Sequence, residues 1–353
     1  MRMDRETRML GGAGNVVSNL CALGCRTTFV SVVGDDANGR QVKAFLEDTC
    51  CTPELVECRD YETTVKIRFV AGKHHLLRAD QEQELKMAPE LAARFLERVD
   101  ACLPDADLVL LSDYGKGQFD GETAPAVIAR CRAAGKPVIV DPKGADYSRY
   151  GGATLVKPNM KEFQEATGVC LNPSAPGWEK ATLEGAARLF DEFGIENLLV
   201  TLSEHGMIFI PSSNPADFVC IPTEAREVFD VSGAGDTSLA SLGAALAAGA
   251  TVPEALVVSN VAAGIVVGKF GTASVTGGEL KEALEEKARK VSSWHHRNNI
   301  LTAEAAAELA ERFRKEKKVV GFTNGCFDLL HLGHLHSFMK ARVACDVLFV
   351  GLT

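Results

Sequence analysis

The sequence predicts an α/β fold, a ribokinase-like doubly wound, mostly parallel sheet with a small β flap, followed by the start of a second, Rossmann-like domain. Three observations predict it. Short apolar runs alternate with helical patterns through most of the chain. Polar residues collect just after those runs, where pockets form in such sheets. A single segment shows the two-residue periodicity of a strand with one wet side.

The elements follow in order. The glycine-rich segment Gly11-Gly12-Ala13-Gly14-Asn15 opens a helical pattern over residues 16–23. A dinucleotide loop would need a strand before it, but residues 1–9 are polar and charged. The better reading is a loop whose glycines let backbone approach a sugar, with the Asn15 amide bonding a hydroxyl. Apolar runs at 29–33, 108–111, 138–140, 155–156 and 198–201 read as buried strands. Helical patterns at 89–102, 123–134 and 183–193 fall between several of them. Asp113, Asp141, Asn159 and Ser203 each follow a strand. Over residues 63–70, Val65, Ile67 and Phe69 share one face while Thr64, Lys66 and Arg68 share the other. Residues 75–80 supply the hairpin partner of this flap. Its basic side reads either as an anion contact or as a solvated face.

Residues 279–297 are highly charged, and the segment Trp294-His295-His296-Arg297-Asn298-Asn299 breaks the pattern. Residues 302–318 look helical again, and a strand starts at Val319. The expected domains are residues 1–280, a helical linker at 281–317, and a second domain at 318–353.

Composition narrows the function. A chain of 353 residues, 46% of them hydrophobic, fills two domains with a real core. The net charge of −9 argues against a nucleic-acid partner, and no Lys/Arg cluster overrides it. The stretch 257–267 is too short to cross a membrane and contains Ser259 and Asn260. Eleven cysteines without a paired CxxC, and no signal-peptide pattern, point to reduced thiols in the cytoplasm. Adjacent Cys50 and Cys51 read as packing residues.

The chemistry is concentrated in Asp230-Val231-Ser232-Gly233-Ala234-Gly235-Asp236-Thr237, which runs into a helical pattern at 238–248. The amides of Gly233, Ala234 and Gly235 can point at one spot at a helix N-terminus, where the dipole favours an anion. Asp236 can take the proton of an attacking hydroxyl there, as phosphoryl transfer requires. An ordinary turn with Asp236 as a cap is the competing reading. Asn159 and Glu162 sit three apart at a helix start. They read as organisers of magnesium and its waters, or as a plain cap. Near the C-terminus, His331 and His334 share a helix face beside Gly333 and suit the phosphates of a nucleotide. A zinc reading with Cys326 lacks a fourth ligand.

With these residues in view, the first ~280 positions resemble ribokinase-type sugar kinases, through GGAGN, LLSDYGKG, IVDPKG, KPNMKEF and DVSGAGDT. The tail VVGFTNGCFDLLHLGHLHS is similar to the first half of a nucleotidyltransferase with the HxGH signature. In this order the two resemble the bifunctional heptose 7-phosphate kinase/heptose 1-phosphate adenylyltransferases, which make ADP-heptose for lipopolysaccharide. The resemblance implies ATP and Mg2+ as cofactors and transfer of the γ-phosphoryl to the anomeric hydroxyl of D-glycero-β-D-manno-heptose 7-phosphate. It gives Asp236 the role of base and the amides of Gly233, Ala234 and Gly235 that of an anion hole. Gly12 and Asn15 fall at the sugar. Asn159, Glu162, Thr201, Ser203, Gly206, Asn260 and Gly264 fall at ATP. Lys66, Arg68 and Arg78 are the candidates for the sugar phosphate, and Thr323, His331 and His334 for the phosphates of the second ATP. It also implies a homodimer through the flap.

The chain departs from that family at both ends. It starts almost at the GGAGN loop, where the family has a strand and an acidic sugar-contacting segment. It stops at Thr353, inside the second βαβ unit of the transferase. The expectation is a kinase half without its first strand and a transferase half too incomplete to act. The alternatives are a generic sugar kinase and a non-catalytic nucleotide-binding fragment.

Overall fold

The computed structural model describes residues 6–71, 74–223, 231–269, 271, 273–295, 301–325 and 332–352. The chain divides into two compact units, Met1–Ala283 and Leu284–Thr353.

The first unit begins with α1 (Ala13–Ala22), β1 (Thr27–Gly34), α2 (Ala37–Glu47) and β2 (Cys51–Cys58). The hairpin β3 (Val65–Ala71) and β4 (His74–Gln81) follows, then α3 (Pro89–Cys102), β5 (Val109–Ser112), α4 (Thr123–Ala133) and β6 (Val138–Asp141). Next come β7 (Leu155–Val156), α5 (Met160–Thr167), α6 (Trp178–Phe193), β8 (Asn197–Thr201), β9 (Met207–Pro211) and β10 (Val219–Ile221). Helices α7 (Ala234–Ala247) and α8 (Val252–Val266) complete the series, and α9 (Gly277–His295) begins in this unit and ends in the second.

Strands β5, β6, β7 and β8 pair in parallel. Strands β9 and β10 extend the sheet antiparallel, giving the order β10-β9-β8-β7-β6-β5. Consecutive residues of the central strands enter opposite layers, as the pleat demands. Val138, Val140, Leu198 and Val200 join the cluster that holds Phe95, Ile128, Phe163 and Leu189 of α3, α4, α5 and α6. Ile139, Leu155 and Leu199 join the other cluster, with Val16 of α1, Leu239 and Leu242 of α7 and Leu256 of α8. Both faces of the sheet are therefore covered, which accounts for apolar runs without alternation.

Two features differ from the sequence reading. Strands β1 and β2 form their own parallel pair. The flap is wet on both faces: across the register Ile67 faces Ala79 and Phe69 faces Leu77, yet Ile67, Phe69 and Leu77 are 44%, 42% and 61% exposed. Period-two alternation shows which residues share a face; it does not show that another element covers that face.

Helix α7 is tied to its neighbours by buried polar side chains. The Thr237 hydroxyl donates to Asn19 Oδ1 at 3.1 Å, and the Val275 amide donates to the same oxygen at 3.2 Å. Asn19 Nδ2 donates to the Asn15 carbonyl at 2.9 Å. On the other side the Ser238 and Ser259 hydroxyls meet at 2.8 Å, joining α7 to α8. No described helix is long and apolar enough to cross a membrane.

The second unit holds α10 (Ala303–Lys315), β11 (Val320–Gly325), α11 (Leu332–Val343) and β12 (Val347–Leu352). Strands β11 and β12 pair in parallel. Thr302 caps α10 through the Ala305 amide.

Asn19 is fully buried and serves two donors, so Asn19→Ala leaves the Thr237 hydroxyl and the Val275 amide unpartnered. We expect urea denaturation to show a loss of about 2–4 kcal/mol. A loss below about 0.5 kcal/mol, the level of an indifferent surface change, would contradict this account of the seam.

Candidate active site

The site is built around Asp236, the third residue of α7. Gly233 stands before the helix with φ 82°, in the left-handed region that glycine enters without strain. The first intrahelical bond runs from the Thr237 amide to the Gly233 carbonyl at 2.9 Å. The amides of Gly235 and Asp236 precede it and belong to the open end of the helix, where the dipole is positive. One expectation changes here. The Ala234 amide donates back to the Val231 carbonyl at 3.3 Å, so the anion-facing set is displaced along the chain toward Gly235 and Asp236. A side chain at Gly235 would meet open space, which leaves room for a ligand in front of these amides.

Two neutral donors fix the Asp236 carboxylate. Asn15 Nδ2 donates to Oδ2 at 2.8 Å, and the Tyr114 hydroxyl donates to Oδ1 at 2.7 Å. Asn15 is 1% exposed, and its amide serves the carboxylate rather than an open sugar position. Gly12 lies beside the Tyr114 ring, where a Cβ would stand 3.5 Å from it. Burial, and then the Asp236 charge, push the Tyr114 phenol far above its ordinary value, so it remains a donor.

Sequence reasoning gave Tyr114 no role. The signal was present in Ser112-Asp113-Tyr114-Gly115, a polar stretch directly after a buried strand. Asp113 shapes this loop: its carboxylate accepts from the Gly115 amide at 2.7 Å and from the Tyr150 hydroxyl at 2.7 Å.

The next two strand ends carry the other acids. Asn159 and Glu162 close a reciprocal capping box on α5. The Glu162 amide donates to Asn159 Oδ1 at 2.9 Å, and the Asn159 amide donates to Glu162 Oε2 at 3.1 Å. Glu162 Oε1 accepts from Lys143 Nζ at 2.9 Å, which raises the Lys143 ammonium above its ordinary value. The cap reading of Asn159 and Glu162 is met, and the cap holds their oxygens at the end of the sheet. Asp141 pairs with Lys157 at 2.9 Å, and Lys157 is 2% exposed. Burial pushes the Asp141 carboxyl up. The Lys157 ammonium opposes this, while the charges of Asp236 and Glu162 add to it. Hard carboxylate and amide oxygens suit magnesium, and their existing partners suit an ion held through its waters. Among the described residues no group of three acidic, His or Cys side chains forms a direct metal cage.

The residues assigned to ATP gather at the same sheet edge. Asn159 bridges Thr201 in parallel, and the Thr201 amide donates to the Pro158 carbonyl at 3.0 Å. Ser203 follows with φ 52°, a left-handed conformation uncommon outside glycine. Gly206, at φ 88°, packs against the chain after β10: a Cβ there would lie 2.0 Å from the Ile221 carbonyl oxygen. Asn260 on α8 donates to the Pro222 carbonyl at 2.8 Å, which places it by the same crossing. Gly264 lies one turn further along α8.

The flap's cations are not equally available. Lys66 Nζ contacts Asp80 at 3.2 Å and Glu82 at 3.1 Å, and Arg78 makes a bidentate contact with Asp80. These partners hold the Asp80 carboxyl down at about 2. Arg68 stands across the register from Arg78 and has no ion pair among the described residues. Lys116 contacts Glu82 at 2.6 Å, linking the Tyr114 loop to the end of the flap. In the second unit, Thr323 lies on β11 and His334 in the first turn of α11. His331 and Cys326 lie outside the described residues, as does Asp230.

Known proteins resemble this chain in sequence and in fold. The pfkB family of carbohydrate kinases matches residues 1–276. A "Bifunctional protein HldE" from Paramagnetospirillum magneticum is 48% identical over 351 residues, covering 99% of this chain and 70% of that protein. The protein of the same name from Rhodospirillum rubrum is 42% identical, covering 100% of this chain and 69% of its own length. Among solved structures, phosphofructokinase-2 from Escherichia coli, in complex with potassium, superposes with a TM-score of 0.65 at 18% identity, over 81% of this chain and 93% of that one. Ribokinase from Arabidopsis thaliana, complexed with ribose and ATP, gives 0.60 at 20% identity, over 81% and 90%. At those identities the superpositions establish the fold.

Tyr114→Phe removes one hydrogen bond to a charged group, an interaction worth about 1.5–3 kcal/mol, without emptying the ring's place beside Gly12. Steady-state kinetics should show kcat reduced about tenfold or more, with KM for ATP nearly unchanged. An unaltered kcat would mean that the phenol does not orient Asp236.

Proposed function

Because the chain belongs to the pfkB family of carbohydrate kinases, and within it to the bifunctional HldE proteins, we propose that it phosphorylates a phosphorylated heptose at the expense of ATP. The substrate is D-glycero-β-D-manno-heptose 7-phosphate, and the product is the 1,7-bisphosphate. The second unit is assigned to the adenylylation of heptose 1-phosphate to ADP-heptose, a second activity for which the residues present here supply only part of a site. The observation that carries the kinase reading is the Asp236 carboxylate, oriented by Asn15 and Tyr114 at the open N-terminus of α7.

The chemistry follows from that arrangement. The anomeric hydroxyl attacks the γ-phosphorus, and Asp236 receives its proton. The charge on the moving phosphoryl falls to the helix-end amides at Gly235 and Asp236, with Gly233 turning the chain into position. Bound magnesium neutralises phosphate charge in such transfers. Asn159 and Glu162 are the residues we assign to its water shell. Thr201, Ser203, Gly206, Asn260 and Gly264 are assigned to ATP and Gly12 to the sugar side, while Asn15 orients Asp236. Asp236 carries no ion pair among the described residues, so no cation has to leave before it acts as a base.

Lys66, Arg68 and Arg78 are assigned to the 7-phosphate. Arg68 needs no rearrangement, whereas Lys66 and Arg78 exchange Asp80 for the phosphate. In the second unit the sugar phosphate is itself the nucleophile at the α-phosphorus, and pyrophosphate leaves. Thr323, His331 and His334 are assigned to the phosphates of that ATP. The exposed Ile67, Phe69 and Leu77 support a homodimer through the flap, and we assign the cytoplasm as the compartment where the substrates meet.

Turnover of ATP with heptose 7-phosphate tests the reading. Asp236→Asn should lower kcat by about 10²–10⁴-fold, the usual contribution of a general base. Equal turnover by the variant, or equal use of unphosphorylated sugars, would refute it. Arg68→Ala should raise KM for the phosphorylated sugar about tenfold and leave KM for ATP alone, since charge-assisted contacts are the strong kind. Unchanged sugar affinity would remove Arg68 from the site.

A further inference from the structure

The Tyr114 hydroxyl holds Asp236 only while its loop stays in place, and the sheet ladder stops short of that loop. Strands β5 and β6 pair as far as Ser112 opposite Asp141. One further bond follows, from the Asp113 amide to the Asp141 carbonyl at 3.0 Å. Beyond it the two chains continue as loops, one carrying Tyr114 and the other Lys143. Gly115 adopts φ 62°, and a Cβ there would stand 3.1 Å from Lys143 Cγ, so the two loops lie side by side.

Tyr150 joins them. It ends the single 3-10 turn Ser148–Tyr150 and is fully buried. Its hydroxyl donates to Asp113 Oδ2 at 2.7 Å and accepts from the Lys143 amide at 3.0 Å. The other oxygen of Asp113 accepts from the Gly115 amide at 2.7 Å. One carboxylate thus closes the turn that presents Tyr114, and one phenol fastens that carboxylate to the chain after β6. Burial, and then the Asp113 charge, push the Tyr150 phenol far above its ordinary value, which keeps it a donor. Arg149 reaches Asp113 only at 3.7 Å and makes its closer contact, 3.0 Å, with Asp120. Tyr147 is the contrast. It is equally buried, and its ring meets that of Tyr150 edge to face at 5.7 Å, but its hydroxyl has no hydrogen-bond partner.

We propose that Tyr150 is a positioning residue for phosphoryl transfer: its hydroxyl locks the Tyr114 loop to the chain after β6 and so fixes the phenol that orients Asp236. Tyr150 touches no substrate and acts through Asp113 and Tyr114. The proposal rests on the reading of Asp236 as the base. A buried, satisfied network of this kind transmits position because each member has one low-energy arrangement.

The test compares Tyr150→Phe, which keeps the ring and removes the joint, with Tyr147→Phe, which removes only the unpartnered hydroxyl. Hydrogen–deuterium exchange of the full chain should show the amides of residues 113–118 opening about tenfold more often in Tyr150→Phe and unchanged in Tyr147→Phe. With Tyr150→Phe, kcat should fall about five- to tenfold while KM for ATP stays within about twofold. With Tyr147→Phe, kcat should match the wild type. In the Tyr114→Phe background, where the phenol it acts through is gone, Tyr150→Phe should lower kcat by less than about twofold. Unchanged exchange at residues 113–118 would overturn the joint. A wild-type kcat in Tyr150→Phe, or an equal loss with and without the Tyr114 hydroxyl, would overturn its action on Asp236. Failure of heptose 7-phosphate as acceptor counts against the proposed function alone, because these comparisons are read with any sugar that the enzyme phosphorylates.

Discussion

A carboxylate held by two neutral donors at the end of a helix is the constraint around which the first unit is arranged. Asp236 could not be fixed by its own helix, because a first-turn side chain has several rotamers open to it. Asn15 and Tyr114 select one of them, and they arrive from segments far apart in the chain. Each is itself fixed. Asn15 is buried against α7, where Asn19 gathers the Thr237 hydroxyl and the Val275 amide. Tyr114 stands on a loop braced by Asp113 and Tyr150. Buried polar groups of this kind are costly when unpaired and rigid when satisfied, so the seam between α1 and α7 gives the acid a single direction.

The same logic separates Asp236 from the other acids nearby. Asp141 is matched by the buried Lys157, and Glu162 is engaged by its own helix cap and by Lys143. Of these three acids, only Asp236 is held by hydrogen bonds with no counter-charge among the described residues. The sheet sets the spacing: parallel strands deliver their polar residues to one edge, and each strand adds one more. A fold that covers both faces with helices leaves that edge as the place where polar side chains can collect.

Much of this was legible in the residues. The strand at 138–140 and the helix at 89–102 followed from period and length, and the structure places both within a residue of the expected bounds. The glycine-acid segment before α7 marked a helix N-terminus correctly. The direction of the Ala234 amide was not legible, because it depends on a turn closed with Val231. Nor was the partner of Asn15, since a hydrogen bond across 221 positions leaves no local pattern. The flap showed the limit of periodicity: its alternation was real, but the apolar stripe it defined is exposed.

The sequence by itself determined which residues share a face and which segments form the strands and helices of the sheet, because those depend on spacing and on the local backbone. The tertiary structure alone decided which acid is left without a counter-charge and which cations are already paired. Those outcomes depend on distances of a few ångströms between residues far apart in the chain, and Coulomb and hydrogen-bond energies change steeply over that range.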